Sequence, residues 1–428
     1  MENEIKQEQT KKDKIKENNI KNKEKRNKTI GIYIHIPFCT SKCFYCDFVS
    51  FAKKGNDFID KYIKALLNQI ENELFNFKKE DFKEIYVDTV YIGGGTPSYI
   101  FPKHIKSILD LLRQRFNILD DAEITIEANP ESLTEYKIEK YKDAKINRIS
   151  IGLQTTNDTL LKKIGRPHTY KEFEKIYKIA KSKFRTNVDL IFALPDQTME
   201  DLKKDIQKIL SLNPDSISLY SLILEENTKL YNMYKKNMLN LPDENLERKM
   251  QKLIYKSLEK NGYYRYEISN FSKPNKYSRH NTNTWLQHEY LGFGINSSSY
   301  FKNIRFSTTS NIKDYINYYS NNFKIKTNKN ENKEKQKDKI ILIEEIQNKY
   351  DQMKEHIYLG LRMNKYYTKN FYLKFNEKCE DVFKKELYEI QKQGLIDITK
   401  DPENKEFNII SLNEKGLDFA NRVLIYFI

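Results

Sequence analysis

One stretch decides the fold of this chain: Tyr33-Ile-His-Ile-Pro-Phe-Cys39-Thr-Ser-Lys-Cys43-Phe-Tyr45-Cys46-Asp-Phe48. It holds three of the 4 cysteines, at the spacing Cys-x₃-Cys-x₂-Cys. A strand-like run over residues 31–36 precedes them and predicts that they lie in a loop. Three thiolates on one loop suit a [4Fe–4S] cluster that leaves one iron without a protein ligand. A zinc site is the alternative, but it usually requires a second cysteine pair or histidine ligands.

Composition narrows the class of protein. The formal net charge is +15, but much of the basic excess lies in residues 1–28 and 324–339, which contain almost no aromatic side chains. We therefore interpret it as a solvated surface and expect no nucleic-acid partner. The start of the chain lacks a signal-peptide pattern, and no apolar run approaches 18 residues, so we expect no transmembrane segment. Free thiols suit the reducing cytosol, which predicts a cytoplasmic location.

Six predicted strands alternate with amphipathic helices in the first part of the chain. The strands cover residues 29–36, 87–92, 123–127, 148–153, 186–192 and 216–222. This alternation predicts an α/β fold with a parallel sheet and right-handed crossovers, interpreted as a partial (β/α)₆ TIM-like barrel. In such barrels the functional residues lie at the carboxyl ends of the strands.

The remaining sequence predicts four regions. Residues 1–28 are a disordered basic tail, and residues 29–300 form the barrel with a later aromatic, polar segment. Residues 301–350 are expected to be a linker with a low-complexity insert at 321–339. Residues 351–428 are expected to be a small winged-helix-like α+β domain. Cys379 lies in this last region within a Lys/Glu-rich helix, which predicts a half-buried or surface thiol.

The cysteine stretch resembles the cluster loop of the radical S-adenosylmethionine (radical SAM) superfamily. Its flanks, HIPFC and YCDF, narrow the resemblance to the coproporphyrinogen III oxidase-like branch and, within it, to the HemW-type heme chaperones. The resemblance implies the partial barrel fold. It also implies a [4Fe–4S] cluster held by Cys39, Cys43 and Cys46, with S-adenosyl-L-methionine bound at the open iron.

Motifs at the predicted strand ends match family positions that contact this cofactor: GGGTP, EANP, IGLQ, GR and DLIFALPDQT. The resemblance therefore implies cofactor contacts at Gly94, Gly95, Thr96, Glu127, Gln154, Arg166 and Asp189. Glycines permit close backbone approach, and a guanidinium pairs with a carboxylate. Taken alone, each polar residue could instead cap a helix, form a surface pair or make a buried hydrogen bond. Tyr33 and Tyr45 flank the cysteines, where stacking on adenine and core packing are both open.

Two sequence features, one position and one motif, separate the branch's chaperones from its oxidase. The oxidase carries a further cysteine two places beyond the third, where this chain has Phe48. The chaperones carry a late His-Asn-x-x-Tyr-Trp motif associated with heme, matched here by His280, Asn281 and Trp285, with Thr284 in the tyrosine position. Because an imidazole can ligate heme iron, His280 is predicted to contact heme. A structural hydrogen bond is the alternative.

We therefore expect a heme chaperone that binds a [4Fe–4S] cluster, S-adenosyl-L-methionine and heme. It would deliver heme to client respiratory proteins, one option being a client at the membrane surface. The alternative is an enzyme of the oxygen-independent coproporphyrinogen III oxidase type in porphyrin biosynthesis. Phe48 and the lysine-rich tail argue against that activity. A third hypothesis is a radical SAM enzyme acting on another substrate.

Overall fold

The computed structural model describes residues 29–72, 85–321 and 339–428. The predicted tail at 1–28 lies outside the described residues, as does nearly all of the predicted insert at 321–339.

The described strands form three sheets, the largest with twelve strands in the order β14-β13-β12-β11-β1-β4-β5-β6-β7-β8-β10-β9. The strands are β1 (Thr29–Ile36), β2 (Phe38–Cys39), β3 (Phe51–Ala52), β4 (Tyr86–Gly94), β5 (Asn117–Ala128), β6 (Arg148–Gln154), β7 (Arg185–Phe192), β8 (Ser216–Ser221), β9 (Tyr264–Arg265), β10 (Asn270–Ser272), β11 (Tyr290–Phe293), β12 (Ser298–Phe301), β13 (Ile304–Thr308), β14 (Ile341–Ile346), β15 (Tyr366–Tyr367), β16 (Ile396–Lys400) and β17 (Asn408–Leu412).

The described helices alternate with the central strands and then cluster near the end of the chain. They are α1 (Asn56–Asn72), α2 (Pro102–Arg115), α3 (Glu135–Asp143), α4 (Asp158–Lys163), α5 (Tyr170–Lys181), α6 (Met199–Leu212), α7 (Lys229–Lys235), α8 (Glu244–Lys260), α9 (Arg279–Trp285), α10 (Ile312–Asn321), α11 (Lys349–Gly360), α12 (Thr368–Phe375), α13 (Cys379–Val382), α14 (Lys384–Lys392), α15 (Glu414–Asp418) and α16 (Ala420–Leu424). Reciprocal capping boxes fix the starts of α5 and α6, at Thr169 and Thr198.

The centre of the large sheet is parallel, as the sequence predicts. The six predicted strands, β1 and β4 to β8, lie side by side in chain order and pair in parallel. The strand β11 adds a seventh parallel member beside β1. Ile32, Ile34 and Ile36 are buried on one face of β1, and they belong to the same hydrophobic core as Ile63 and Leu66 of helix α1. Burial on both faces is typical of a parallel sheet covered by helices.

Residues 301–350 do not form the expected linker where the structure describes them. The strands β13 and β14 pair antiparallel with each other, and β12 joins them to the central sheet through β11. Helix α10 packs on α1, where Tyr315 contacts Tyr62 with ring centroids 5.4 Å apart. The apolar positions of this region are scattered among Asn and Lys, so the sequence pattern concealed the strands and the helix.

The last described region has its own core and an antiparallel sheet in the order β15-β17-β16. Helix α11 and strand β15 come first, helices α12 to α14 follow, and the hairpin of β16 and β17 comes after them. Cys379 is completely buried in that core among aromatic side chains such as Phe371 and Phe383, in contrast to the predicted half-buried or surface thiol. The Lys and Glu residues around Cys379 belong to the exposed faces of two short helices. They made the sequence look polar and concealed the buried position of the cysteine.

The barrel contacts the last region through residues 266–285, a segment that includes α9 and is called the α9 segment below. The backbone N–H of Ile268 donates to Arg362 O at 3.0 Å, and that of Asn364 donates to Tyr266 O at 3.1 Å. The Arg362 guanidinium lies 4.4 Å from the centroid of the Trp285 ring. None of the described helices combines the length and apolar character needed to span a membrane.

Candidate cofactor site

The cysteine loop starts where β1 ends and is closed by short backbone bonds. The strand β2 pairs in parallel with β3, and the N–H of Lys53 donates to Cys39 O at 3.1 Å. Halfway along the loop, the N–H of Phe44 donates to Ile164 O at 3.0 Å, and Phe44 O accepts from Leu230 N at 2.7 Å. These bonds tie the loop to α4 and α7, so the cysteines are held across the carboxyl ends of the strands.

The loop covers a cavity of about 640 Å³ at these strand ends. Most of the residues predicted from sequence to bind the cluster or the cofactor line it: Cys39, Cys43, Tyr45, Cys46, Gly94, Gly95, Thr96, Glu127, Gln154, Arg166 and Asp189. They come from six separate parts of the chain. Their convergence on one space is the geometry that a common ligand requires.

The three thiols are suited to a multi-iron group. Burial raises the pKa of Cys39, and it raises the pKa of Cys46 to about 11, so both are protonated at neutral pH before metal binds. Iron binding must therefore displace protons. In the part of the chain that the structure describes, no three His, Cys, Asp or Glu side chains converge on a point for a single ion. Cysteines spread around a cavity instead fit a cluster, whose thiolates bond different irons.

The glycine run at the end of β4 supports the cysteine loop. The N–H of Gly95 donates to Ile36 O at 2.9 Å, and that of Thr96 donates to Phe38 O at 2.8 Å. A Cβ on Gly95 would lie 3.0 Å from Cys39 Sγ, and one on Gly94 would lie 2.7 Å from the His35 ring. The run therefore has a packing reason in addition to the predicted approach of a ligand.

Glu127 is the carboxylate nearest to the glycine run. Its Oε1 accepts from the Tyr91 hydroxyl at 2.8 Å, and its Oε2 accepts from the N–H of Gly94 at 3.1 Å. Burial raises its pKa to about 7. A positively charged donor in the cavity would hold this carboxylate in its ionised form.

Gln154 shows the clearest sign of a missing partner. It ends β6 with φ 69°, a left-handed backbone conformation that residues other than glycine rarely adopt. Its side chain is buried, and its Oε1 has no hydrogen-bond partner. Gln154 lines the cavity, and a strained residue with a buried, unsatisfied oxygen is characteristic of a ligand site.

Asp189 lies in a polar group on the cavity wall. Its carboxylate accepts from Ser150 Oγ at 3.2 Å and from Asn187 Nδ2 at 2.8 Å. Burial raises its pKa despite these donors. Tyr45 also lines the cavity, and it packs on an apolar group that includes Leu160 and Ile164, whereas its stacking on adenine stays a prediction.

Arg166 reaches the cysteine loop from the turn after α4. Its Nη1 donates to Cys43 Sγ at 3.4 Å, and its Nη2 donates to Asn129 Oδ1 at 2.8 Å and to Gly152 O at 2.9 Å. Its Nε is buried and has no partner. The guanidinium therefore holds one unused donor for an anionic group.

Tyr33 and His280 are not among the residues that line the cavity. Both contact Tyr91, which does line it: the Tyr33 ring centroid lies 6.3 Å and the His280 ring centroid 5.2 Å from that of Tyr91. Tyr91 therefore forms a floor between them and the cavity. Tyr33 also makes a 3.1 Å hydrogen bond to His35 Nδ1, so the structure shows the packing alternative and its predicted cofactor contact stays a prediction.

His280 is enclosed at the opposite end of the barrel. Its ring is buried, and its Nδ1 bonds to Thr89 Oγ1 at 2.9 Å. The backbone N–H of His280 donates to Glu123 Oε1 at 3.1 Å, which anchors α9 against β5. Burial lowers the pKa of the ring to about 4. The position of His280 fits the alternative of a structural hydrogen bond. No face of its ring is open for the predicted contact with heme.

The sequence interpretation missed several residues of the cavity wall. Arg148 and Ser150 lie on β6, Asn187 on β7 and Ser218 on β8. Successive side chains of a strand point to opposite faces, so polar residues two places apart share a face. The pairs at 148 and 150 and at 187 and 189 carry that signal within otherwise apolar strands.

This arrangement, a three-cysteine loop over the strand ends of a parallel α/β fold, defines a protein of the radical SAM class. The model of the Radical SAM superfamily matches residues 33–209. Among solved structures, coproporphyrinogen III oxidase from Escherichia coli, described as a radical SAM enzyme, superposes with a TM-score of 0.75 at 20% identity. The match covers 94% of this chain and 90% of the oxidase, and at that identity it shows the fold alone.

Curated relatives identify the family within this class. The heme chaperone HemW of Lactococcus lactis subsp. lactis is 34% identical over 399 residues, which are 92% of this chain and 96% of that protein. The heme chaperone HemW of Bacillus subtilis is 32% identical over 85% of this chain and 92% of that protein. The chain therefore belongs to the HemW family of radical SAM proteins.

Proposed function

We propose that this protein is a heme chaperone that binds a [4Fe–4S] cluster, S-adenosyl-L-methionine and heme, and that delivers heme to client respiratory proteins. The observation that carries the proposal is the convergence of the three cysteines with the strand-end residues on one cavity. The near-complete match to a protein named as a heme chaperone supports the heme part.

Five residues of the cavity have a role toward the proposed groups. Cys39, Cys43 and Cys46 hold the cluster, which together with S-adenosyl-L-methionine supplies one-electron chemistry when bound. Glu127 accepts hydrogen bonds from an ammonium group, and Arg166 donates its free Nε–H to a carboxylate. The carboxylate of Glu127 and the free Nε–H of Arg166 thus match the charged ends of an amino acid.

We place the proposed heme contact at the mouth of the cavity. Phe48 and Ile223 line the cavity, yet their side chains are 64% and 67% exposed. A flat macrocycle gains free energy by covering such apolar surface, and aromatic rings stack on its face. The enclosed ring of His280 offers no comparable surface.

Replacement of one aromatic ring tests the heme contact. Phe48→Ser removes apolar surface at the mouth, and we expect heme affinity to fall about tenfold, because burying such a side chain contributes about 1.5–3 kcal/mol. Phe101→Ser is the matched control, since Phe101 is 49% exposed and does not line the cavity. The measurement is a heme titration that follows the Soret band. Equal affinities of both variants and the parent protein would overturn the proposed location.

The second candidate function is coproporphyrinogen III oxidation. The fold similarity to the oxidase favours it, whereas Phe48, in the place of that enzyme's further cysteine, argues against it. Anaerobic turnover of coproporphyrinogen by the reconstituted protein separates the two candidates, because a chaperone binds heme without consuming the porphyrinogen.

We also propose where the delivery occurs and to what. The cluster thiols require a reducing compartment, which favours the cytoplasm. The client would be a heme-receiving protein, one option being a protein at the membrane surface. Nucleic acid is not among the proposed partners.

A further inference from the structure

A continuous chain of hydrogen bonds connects two of the cluster cysteines. Arg166 Nη1 donates to Cys43 Sγ at 3.4 Å, and Arg166 Nη2 donates to Asn129 Oδ1 at 2.8 Å. Asn129 Nδ2 donates to Thr96 Oγ1 at 2.9 Å. The Thr96 hydroxyl then donates to Cys39 Sγ at 3.4 Å. These hydrogen bonds run from the turn after α4 across the ends of β5 and β4, and they reach a sulfur at each end.

The direction of every bond in this chain is fixed by its chemistry. A guanidinium has only donors, so the atom of Asn129 that faces Arg166 must be its oxygen. The amide NH₂ of Asn129 therefore faces Thr96 and occupies an acceptor site of that hydroxyl. The hydroxyl proton is left to point at Cys39 Sγ. Asn129 thus orients the donors to both sulfurs without touching either sulfur.

The surrounding backbone is built to leave room for this chain. Gly152 lies beside it, and a Cβ there would lie 2.8 Å from Asn129 Oδ1 and 3.2 Å from Arg166 Nη2. The N–H of Asn129 donates to Ser98 Oγ at 3.2 Å, which fixes the residue at the end of β5. The third sulfur, Cys46 Sγ, accepts from the backbone N–H of Phe48. All three cysteines are therefore supplied with a donor.

We propose that Asn129 is a positioning residue that, through Thr96 and Arg166, raises the reduction potential of the cluster. Hydrogen bonds to the sulfurs are among the main determinants of a cluster's potential, because donors stabilise the negative charge that reduction adds. The inference rests on the cluster of the proposed function. It gives Asn129, which follows β5, a role that is separate from the proposed contacts with S-adenosyl-L-methionine.

Two substitutions redirect the chain with little change in shape. Asn129→Asp replaces the NH₂ with an oxygen that only accepts when ionised, so the Thr96 proton turns from Cys39 to the carboxylate. Thr96→Val removes the hydroxyl without adding charge, and Thr96→Ser restores it as the matched control. We expect Asn129→Asp and Thr96→Val each to lower the equilibrium constant for reduction about tenfold, which is about 59 mV for one electron. Thr96→Ser should match the parent protein.

The test is a potentiometric titration of the reconstituted protein, followed by electron paramagnetic resonance without S-adenosyl-L-methionine or heme. Iron and sulfide are quantified first, and a parent protein that fails to load a cluster would overturn the proposed function instead of this inference. In the double variant we expect a smaller shift than the sum of the two single shifts, because both act on one proton. Unchanged potentials at full cluster content, or strictly additive shifts, would overturn the inference. If Asn129→Asp does not load, the comparison of Thr96→Val with Thr96→Ser decides.

Discussion

Burial of Glu127 disfavours the ionised form of its carboxylate. Glu127 is half-buried beside Tyr91, and its pKa is raised to about 7, mainly by burial, from an ordinary value of 4.5. The ionised carboxylate is therefore costly in the absence of a cation. Gln154 is also unfavourable in free energy, because its backbone is strained and its Oε1 has no hydrogen-bond partner. Such local costs are typical of sites that are completed by a bound molecule.

Replacement of Glu127 should therefore separate stability from binding. A carboxyl whose folded pKa is raised stabilises the fold below its unfolded pKa, and that contribution is lost as pH rises from about 4.5 through about 7. In Glu127→Gln this loss disappears, so the cofactor-free variant should exceed the parent protein in stability at pH 8, by at most about 3 kcal/mol. Urea unfolding at pH 5 and pH 8 measures the difference, and the same difference at both values would refute the assignment.

The same variant should bind S-adenosyl-L-methionine more weakly than the parent protein, since an amide carries no charge to pair with an ammonium group. Equilibrium dialysis at pH 8 gives the affinity. Unimpaired binding would exclude Glu127 as the acceptor.

His280→Ala tests the enclosed position of the histidine. The variant loses the bond to Thr89 and the packing on Tyr91, so we expect a loss of about 2–3 kcal/mol of unfolding free energy. Heme affinity should be retained by the folded variant. Loss of the Soret titration in a variant that unfolds as cooperatively as the parent protein would instead restore the heme contact predicted from the motif.

At the scale of elements, α9 closes the end of the barrel opposite the cysteines. The first backbone N–H groups of this helix, from Arg279 and His280, donate to the buried carboxylate of Glu123 at 3.1 Å. Arg185 Nη2 donates to the same carboxylate at 2.7 Å. Burial alone would raise the pKa of Glu123, but Arg148 and Arg185 outweigh it and lower the pKa below its ordinary value.

Removal of this carboxylate should be severe, because it leaves buried Arg148 without its counter-charge. We expect Glu123→Ala to cost about 3–5 kcal/mol, measured by chemical unfolding at neutral pH. The depressed pKa gives the parent protein a contribution that is present above pH 4.5 and lost as pH falls through the folded pKa. The variant should therefore lose less stability than the parent protein on acidification, and parallel acid profiles would contradict the account.

The elements also show what the sequence could and could not predict. Isoleucine-rich strands that end in glycine or polar residues predicted the parallel sheet, and the cysteine spacing predicted the loop, because both signals are local. The depth of Tyr33 and His280 was not predictable, since it depends on Tyr91 from another strand. The strands of residues 304–346 were missed because their apolar positions are scattered among polar residues, and because β14 pairs with β13 across an intervening helix. Asn129 was visible only as part of the EANP segment, without its partners.

At the scale of the whole molecule, one large sheet carries both the cavity and the contacts to the last region. The strands β4 to β8 supply the cavity wall, and the α9 segment closes the barrel and bonds to residues 362–364. Heme delivery requires a site that a client can reach. Phe48 and Ile223 line the cavity and are exposed, so the heme contact that we propose at its mouth would be accessible to a client.

The most direct test of heme handling is a paired assay on one anaerobically reconstituted sample. One part is titrated with heme, and the other receives coproporphyrinogen, S-adenosyl-L-methionine and a low-potential reductant. A heme chaperone of this family should show a saturable Soret shift at one heme per chain and leave the coproporphyrinogen unchanged. Decarboxylation of the porphyrinogen, or the absence of a saturable Soret shift in cluster-loaded protein, would contradict the account.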